Sequence, residues 1–159
     1  MIRQAQVGEF YVAGIAVRTS NARELSGDPI IGKHWERFFS EHILGKIPNR
    51  TDSRIYAVYT DYEGDQNGEY TLLLGAKLGG RIPLPPGMVA TAIPAGKYAV
   101  VTSDPGPVVE AVVGAWKRIW SLRPEELGGE RAYKADFELY DERATDPRNS
   151  VVDVYLGLK

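Results

Sequence analysis

The chain has 159 residues, of which 43% are hydrophobic and 25% charged, with a formal net charge of −2. These values are ordinary for a globular domain, and the absence of a strongly basic segment argues against direct nucleic-acid binding. The chain has no cysteine, which excludes disulfides, thiolate metal sites and a cysteine nucleophile. Without a signal-peptide pattern or a run of membrane-spanning length, the sequence predicts a cytoplasmic protein that does not associate with membranes.

The first half reads as one helix and three strands. Apolar residues at helical spacing follow Asp28 and Pro29, a typical helix start, and the predicted helix ends near Gly45. The polar turn at 63–68 predicts that the last two strands form a hairpin. The three predicted strands are residues 10–19, 54–60 and 70–78.

A segment rich in glycine and proline, residues 79–87, then predicts the connection between two modules, 9–78 and 88–158, of a single domain spanning 1–159. The second module opens its helix at residues 103–107 and repeats the order of the first. Its predicted strands are residues 88–93, 97–102, 134–141 and 151–158.

The two halves share landmarks at one fixed spacing. Three pairs of identical residues lie 81 positions apart: Trp35 and Trp116, Arg37 and Arg118, Tyr59 and Tyr140. Repeats usually indicate that neither copy buries its apolar face alone. The sequence therefore predicts an α+β protein of two pseudo-symmetric strand-helix-strand-strand modules, whose antiparallel sheet forms a concave groove with helices on the other face.

The copies differ at one position that carries chemistry. Where the first copy has Ala57, the second has Glu138, flanked by Phe137 and Leu139 in a predicted strand. A carboxylate in such surroundings is costly to desolvate without a partner. Glu138 is accordingly the foremost candidate for a functional residue, as a ligand counter-charge or a general base. The alternative is a structural acid paired with an arginine or tyrosine.

Strand periodicity sorts the neighbouring candidates into faces. The apolar residues of the last strand, together with Phe137 and Leu139, are assigned to the face under the helices. The opposite face then collects the candidate ligand-binding residues Tyr59, Glu138, Tyr140, Asp153 and Tyr155. Its tyrosines could form an aromatic cage for a cation, or simply pack across strands. Asp153 could equally be a solvated acid near the chain end.

The remaining candidates concern tryptophans and metals. Trp35 and Trp116 lie on apolar helical faces and are predicted to be core residues. Trp120 is a further candidate for the groove, although a core position is favoured. His34 and His42 are eight residues apart, too far along one helix to share an ion, so both are predicted to be surface residues. No metal site and no cofactor are predicted.

Five motifs in order resemble the GyrI-like superfamily, also called the bacterial transcription activator effector-binding domain. They are residues 12–21, 35–38, 93–99, 136–143 and 152–156. The resemblance covers nearly the whole chain. It implies a concave groove for lipophilic, often cationic, small molecules, with a glutamate at the position of Glu138 meeting the ligand's positive charge.

With only nine residues before the first predicted strand, a helix-turn-helix does not fit there, and a stand-alone effector-binding domain is expected. The predicted function is binding or sequestration of a hydrophobic cation, with no catalytic residue. Two alternatives stay open. One is a hydrolase with Glu138 as general base and Tyr155 polarising the substrate. The other is a protein-interaction module like the gyrase-inhibitor relatives. The oligomeric state is left open.

Overall fold

A computed structural model describes residues 2–65 and 67–159. Its centre is one antiparallel sheet of eight strands in the order β1-β6-β8-β7-β3-β4-β2-β5. The strands are β1 (Ile2–Val7), β2 (Phe10–Ser20), β3 (Ile55–Thr60), β4 (Glu69–Lys77), β5 (Val89–Ile93), β6 (Gly96–Thr102), β7 (Arg131–Tyr140) and β8 (Asp153–Leu158).

Two longer helices accompany the sheet, one in each half. The helices are α1 (Asn21–Glu24), α2 (Ile31–Ser40), α3 (Ile43–Lys46), α4 (Val108–Ser121) and α5 (Pro124–Leu127), with a 3₁₀ turn at Glu142–Ala144. None of the helices in the described ranges is both long and apolar enough to span a bilayer. The predicted α+β class with two strand-helix-strand-strand modules is confirmed.

Strand β1 was not predicted, and it links the two halves. It pairs with β6 of the second half, whereas β5, its counterpart in the second half, pairs with β2 of the first. One edge strand of each half therefore pairs with a strand of the other half. The sequence of β1 is half polar, which suits a sheet edge but gives a weak strand signal.

The predicted helix between Asp28 and Gly45 is two helices. His42 adopts a left-handed backbone with φ of 52°, which ends α2 and begins α3. Asp28 does not cap α2. The Glu24 carboxylate does so instead, accepting the backbone N–H groups of Ile30 and Ile31 at 3.2 and 3.0 Å. A distant carboxylate thus replaces the local cap that the sequence indicated.

Both longer helices cover the same face of the sheet, called here the helix face. The α2 side of this face packs on β2, β3 and β4 around Phe38, Ile15 and Leu74. The α4 side packs on β6 and β8 around Ile119 and Val154. The opposite, helix-free face has its own apolar cluster, which includes Val58, Phe137, Leu139 and Tyr155.

The central strand β7 is therefore buried on both faces, and this overturns one assignment. Glu138 is paired with Val154, which lies under α4, while Phe137 is paired with Tyr155 on the other side. Phe137 and Leu139 face away from the helices, and Glu138 and Tyr140 face toward them. The predicted orientation of β7 was wrong because both alternating sets of its side chains are buried.

Candidate functional site

Glu138 lies at the middle of the sheet, beneath α4. It stands on β7 directly opposite Ala57 of β3, in the central strand pair where the two halves meet. Only 1% of its surface is exposed. A carboxylate at this depth needs hydrogen-bond donors for its oxygens.

Three side chains supply those donors, one from α4 and two from the central strands. The Tyr59 hydroxyl donates to Oε2 at 2.7 Å and the Trp116 indole N–H donates to the same oxygen at 2.6 Å. The Tyr140 hydroxyl donates to Oε1 at 2.6 Å. All three donors are neutral groups, so they hydrogen-bond the carboxylate without cancelling its charge.

Burial raises the pKa of Glu138, and the three hydrogen bonds oppose that rise. Burial also raises the pKa values of Tyr59 and Tyr140 well above their usual range, and the neighbouring Glu138 raises them further. Both phenols therefore remain protonated donors at neutral pH. The cluster presents a buried acid held by neutral groups.

Within the described ranges, no lysine, arginine or histidine forms an ion pair with Glu138. The fully buried Asp136, two positions earlier on β7, does have a cationic partner. It binds the Arg131 guanidinium at 2.7 Å and also accepts the backbone N–H of Gly157 at 2.8 Å. Of the buried acids among the residues that the structure describes, Glu138 alone has no cationic partner.

A cavity of about 300 Å³ opens beside this cluster, between α4 and the first module. The rings of Tyr59 and Trp116 line it and carry the hydrogen bonds to Glu138 on their far side. Its other lining residues are Asn21, Glu24, Leu25, Ile31, Tyr62, Tyr70, Val112, Val113, Lys117, Trp120 and Arg131.

Five of the thirteen residues that line the cavity are aromatic. The Tyr59 ring centroid lies 5.2 Å from that of Trp116 and 5.4 Å from that of Tyr70, and Trp116 lies 6.4 Å from Trp120. Sequence reasoning missed Tyr62 and Tyr70. Tyr70 could have been found, because it alternates in register with Leu72 and Leu74 of the helix face.

Three charged side chains line the cavity: Glu24, Lys117 and Arg131. The guanidinium of Arg131 is paired with Asp136. Glu24 accepts the backbone of α2 and also the Thr19 hydroxyl at 2.6 Å. Lys117 forms no ion pair with a described residue. Two carboxylates without an ion pair to a described residue therefore lie at this cavity: Glu24 in its lining, and Glu138 bound to the Tyr59 and Trp116 side chains of its wall.

The five candidates predicted to share one face are divided by the sheet. Tyr59, Glu138 and Tyr140 lie together on the helix face, but Asp153 and Tyr155 lie on the other side. Asp153 is not free to meet a ligand charge there.

The Asp153 carboxylate binds Arg143 at 2.7 Å, with Arg3 at 3.6 Å and the Thr102 hydroxyl at 2.7 Å. These contacts fasten β8 to its neighbours. Both arginine partners of Asp153 come from other segments of the chain, so the strand pattern around Asp153 does not reveal them.

The tryptophans agree with expectation in part. Trp35 packs on the α2 core, as predicted. Trp116 packs on the α4 core, as predicted, and in addition lines the cavity and binds Glu138. Trp120 lines the cavity and is 41% exposed. The core position that was favoured for Trp120 was therefore wrong.

His34, predicted to lie at the surface, is buried with its Nε2 2.9 Å from the Ile15 carbonyl oxygen. Burial lowers the pKa of His34, so the neutral ring donates this hydrogen bond and fixes α2 to β2. His42 is exposed. In the described part of the chain, no group of three or more potential protein ligands is placed to hold a metal ion.

Comparisons with known proteins identify the family of this chain. A model of the family described as "Cass2: Integron-associated effector binding protein" matches residues 5–158. The chain is 34% identical over 148 residues to the candidate transcriptional regulator YobU of Bacillus subtilis, covering 92% of this chain and 91% of YobU. It is also 34% identical to the transcriptional regulator BrlR of Pseudomonas aeruginosa over 132 residues, which is 80% of this chain but 46% of BrlR.

Solved structures show the same fold. An integron cassette protein from the mobile metagenome of Vibrio cholerae superposes with a TM-score of 0.75 at 27% identity, covering 99% of this chain and 95% of that one. SAV2435, solved with bound tetraphenylphosphonium, superposes with a TM-score of 0.80 at 15% identity, covering 100% and 94%. The resemblance to the GyrI-like superfamily is confirmed.

Proposed function

Because the chain belongs to the Cass2 family of integron-associated effector-binding proteins, we propose that it binds a hydrophobic small-molecule cation in the cavity beside Glu138. One observation carries the proposal. The Glu138 carboxylate is buried and held by three neutral donors, with no cationic partner among the described residues.

Interaction between charges strengthens where water is excluded, so a ligand cation near Glu138 gains more than it would at an exposed acid. The ligand would lie against the Tyr59 and Trp116 rings, behind which the carboxylate sits. A cation over an aromatic face gains about 0.5–2 kcal/mol in addition. Carboxylate and rings thus select the same charge.

The cavity wall indicates the rest of the ligand. Val112, Val113 and Trp120 offer apolar surface, and the tyrosine rings offer stacking. The donors nearest Glu138 already serve the carboxylate. A ligand with an apolar surface and a delocalised or shielded positive charge matches this environment. The tetraphenylphosphonium bound to SAV2435, a protein of the same fold, is a molecule of this class and a suitable probe.

The same geometry favours a binder over a hydrolase. A general base must come within hydrogen-bond reach of the proton that it removes. Glu138 is 1% exposed and already accepts three hydrogen bonds, and Tyr155, the proposed polarising residue, lies on the opposite face. A reaction at Glu138 would require the Tyr59 and Trp116 rings to move aside.

The test is calorimetric titration with tetraphenylphosphonium and its matched anion, tetraphenylborate. The wild type should bind the cation more tightly than the anion. In Glu138→Gln the affinity for the cation should fall by about 10–100-fold, the range for losing a charged partner. Equal binding of cation and anion, or unchanged cation affinity in Glu138→Gln, would contradict the proposal. Recovery of the probe unchanged separates binding from turnover.

A further inference from the structure

The helix-free face of the sheet contains a second cavity, of about 730 Å³. Its volume lies within the range of small-molecule sites. Strands β3, β7 and β8 contribute Tyr56, Phe137, Leu139 and Tyr155, and β2 contributes Phe10. The sheet separates this cavity from Glu138, whose side chain points the other way.

Aromatic rings form much of its surface. Phe137 and Tyr155 are stacked at 4.5 Å with an interplanar angle of 9°. Phe10 meets Phe137 edge-on at 5.7 Å and Tyr56 at the same distance. Phe10 and Tyr155 are only partly buried, so some ring surface remains open. Such a surface can hold a planar aromatic molecule by stacking.

Two cationic side chains and one acid line this cavity. Arg54 and Lys77 line it, and Glu9 is the acid among its lining residues. The Lys77 ammonium lies 4.8 Å from the centroid of the Phe10 ring. Neither Arg54 nor Lys77 forms an ion pair with a residue in the described ranges.

Tyr56 adds no negative charge to the cavity at neutral pH. Burial, and then the nearby Asp52, raise the pKa of its phenol to about 12, against a smaller opposing effect of Arg54. The cavity therefore combines aromatic rings with two cations available to a ligand. This composition fits an anion with a flat aromatic body.

We propose that this second cavity binds a planar aromatic anion, an aryl carboxylate or sulfonate, on the face of the sheet opposite Glu138. The ring of the ligand would lie on the Phe10 and Tyr155 side chains, with its acid group between Arg54 and Lys77. The proposal uses none of the residues that hold the Glu138 carboxylate and does not depend on the cation site.

The probe for this site is 2-naphthoate, with neutral 2-naphthamide as its matched control, both titrated by calorimetry. The wild type should bind the carboxylate at least about threefold more tightly than the amide, as expected for partly exposed charge pairs. In Lys77→Met, which keeps the stem on Phe10, and in Arg54→Met, the affinity for 2-naphthoate should each fall by about 3–10-fold.

Lys33→Met removes a similar exposed charge from α2, on the other side of the sheet, and should leave the affinity for 2-naphthoate unchanged. Tyr155→Val should weaken both naphthyl probes, and circular dichroism of each variant reports whether it is folded. Absence of 2-naphthoate binding, or equal affinity in the wild type, Lys77→Met and Arg54→Met, would overturn the proposal. So would a loss in Lys33→Met as large as that in Lys77→Met.

Discussion

Ala57 and Glu138 face each other across the β3–β7 ladder and are also equivalent positions of the two halves, 81 residues apart. A pseudo-twofold axis therefore passes between them. The ring contacts obey the same relation. Trp35 meets Tyr140 at 5.1 Å and 72°, and Trp116 meets Tyr59 at 5.2 Å and 68°.

The pseudo-symmetry explains how one carboxylate obtains its donors. Tyr59 and Tyr140 are equivalent residues that approach the axis from opposite halves, and both hydroxyls reach Glu138. On the axis itself the duplication is broken, since one copy has an acid and the other a methyl group. Two acids there would compete for the same neutral donors and repel each other.

The first prediction tests that asymmetry with Ala57→Glu. Paired residues on one face of an antiparallel ladder have Cβ atoms about 4.5–5.5 Å apart, so the new carboxylate would be buried beside Glu138. Ala57→Gln, of equal size, measures the cost of overpacking, roughly 1–3 kcal/mol. Urea unfolding at pH 7 should show a further loss of about 2 kcal/mol or more for the glutamate. Equal losses in both variants would refute the charge argument.

The second prediction separates the shape of Glu138 from its charge. In Glu138→Gln, the amide oxygen can accept from Tyr59 and Trp116, and the amide N–H can donate to the Tyr140 hydroxyl oxygen. The free energy of unfolding should be kept or raised, because a desolvated charge is removed.

Glu138→Ala instead leaves buried donors unsatisfied, at about 1–3 kcal/mol each. Urea unfolding should therefore show a loss of several kcal/mol for this variant. A glutamine variant as unstable as the alanine variant would indicate that the negative charge itself supports the fold.

The third prediction concerns pH. The pKa of Glu138 is raised in the folded state above its ordinary value of 4.5. Its protonated form stabilises the fold below that value, and this contribution is lost as pH rises through the raised pKa. The stability of the wild type relative to Glu138→Gln should therefore fall as pH increases from about 4.5.

Cation binding should show the opposite trend over the same interval. A ligand cation favours the ionised carboxylate, so affinity for tetraphenylphosphonium should rise with pH in the wild type and stay flat in Glu138→Gln. Calorimetry at several pH values measures both. Parallel pH profiles for wild type and variant would assign the dependence to another group.

The fourth prediction concerns the buried ion pair of Arg131 and Asp136. Breaking a buried pair leaves one charge uncompensated, so Arg131→Met should cost about 3–5 kcal/mol of unfolding free energy. Removing the exposed pair of Arg37 and Glu41 by Arg37→Met should cost less than about 1 kcal/mol. The double variant Arg131→Met/Asp136→Asn should recover part of the loss. A small effect of Arg131→Met, comparable to that of Arg37→Met, would show that the pair contributes little.

Much of the architecture was readable in the sequence because it depends on local patterns. Alternation and turn residues indicated seven of the eight strands, and the repeated tryptophans and tyrosines indicated the duplication. The difference between Ala57 and Glu138, at equivalent positions of the two copies, singled out Glu138 as the functional candidate. Strand β1 was not predicted because its half-polar edge sequence shows little periodicity.

Tertiary structure alone decided which face of the sheet Glu138 occupies. Strand alternation predicts that Glu138 points to one face of the sheet and that Phe137 and Leu139 point to the other. When both faces are buried, alternation does not tell which of them lies under a helix. Strand β7 is covered by α4 on one side and by an apolar cluster on the other, so hydrophobicity could not distinguish them. The indole of Trp116, which lies on α4 and 22 residues earlier in the chain, binds the acid on the helix face beside the cavity. A contact between residues so far apart in the chain produces no local sequence pattern.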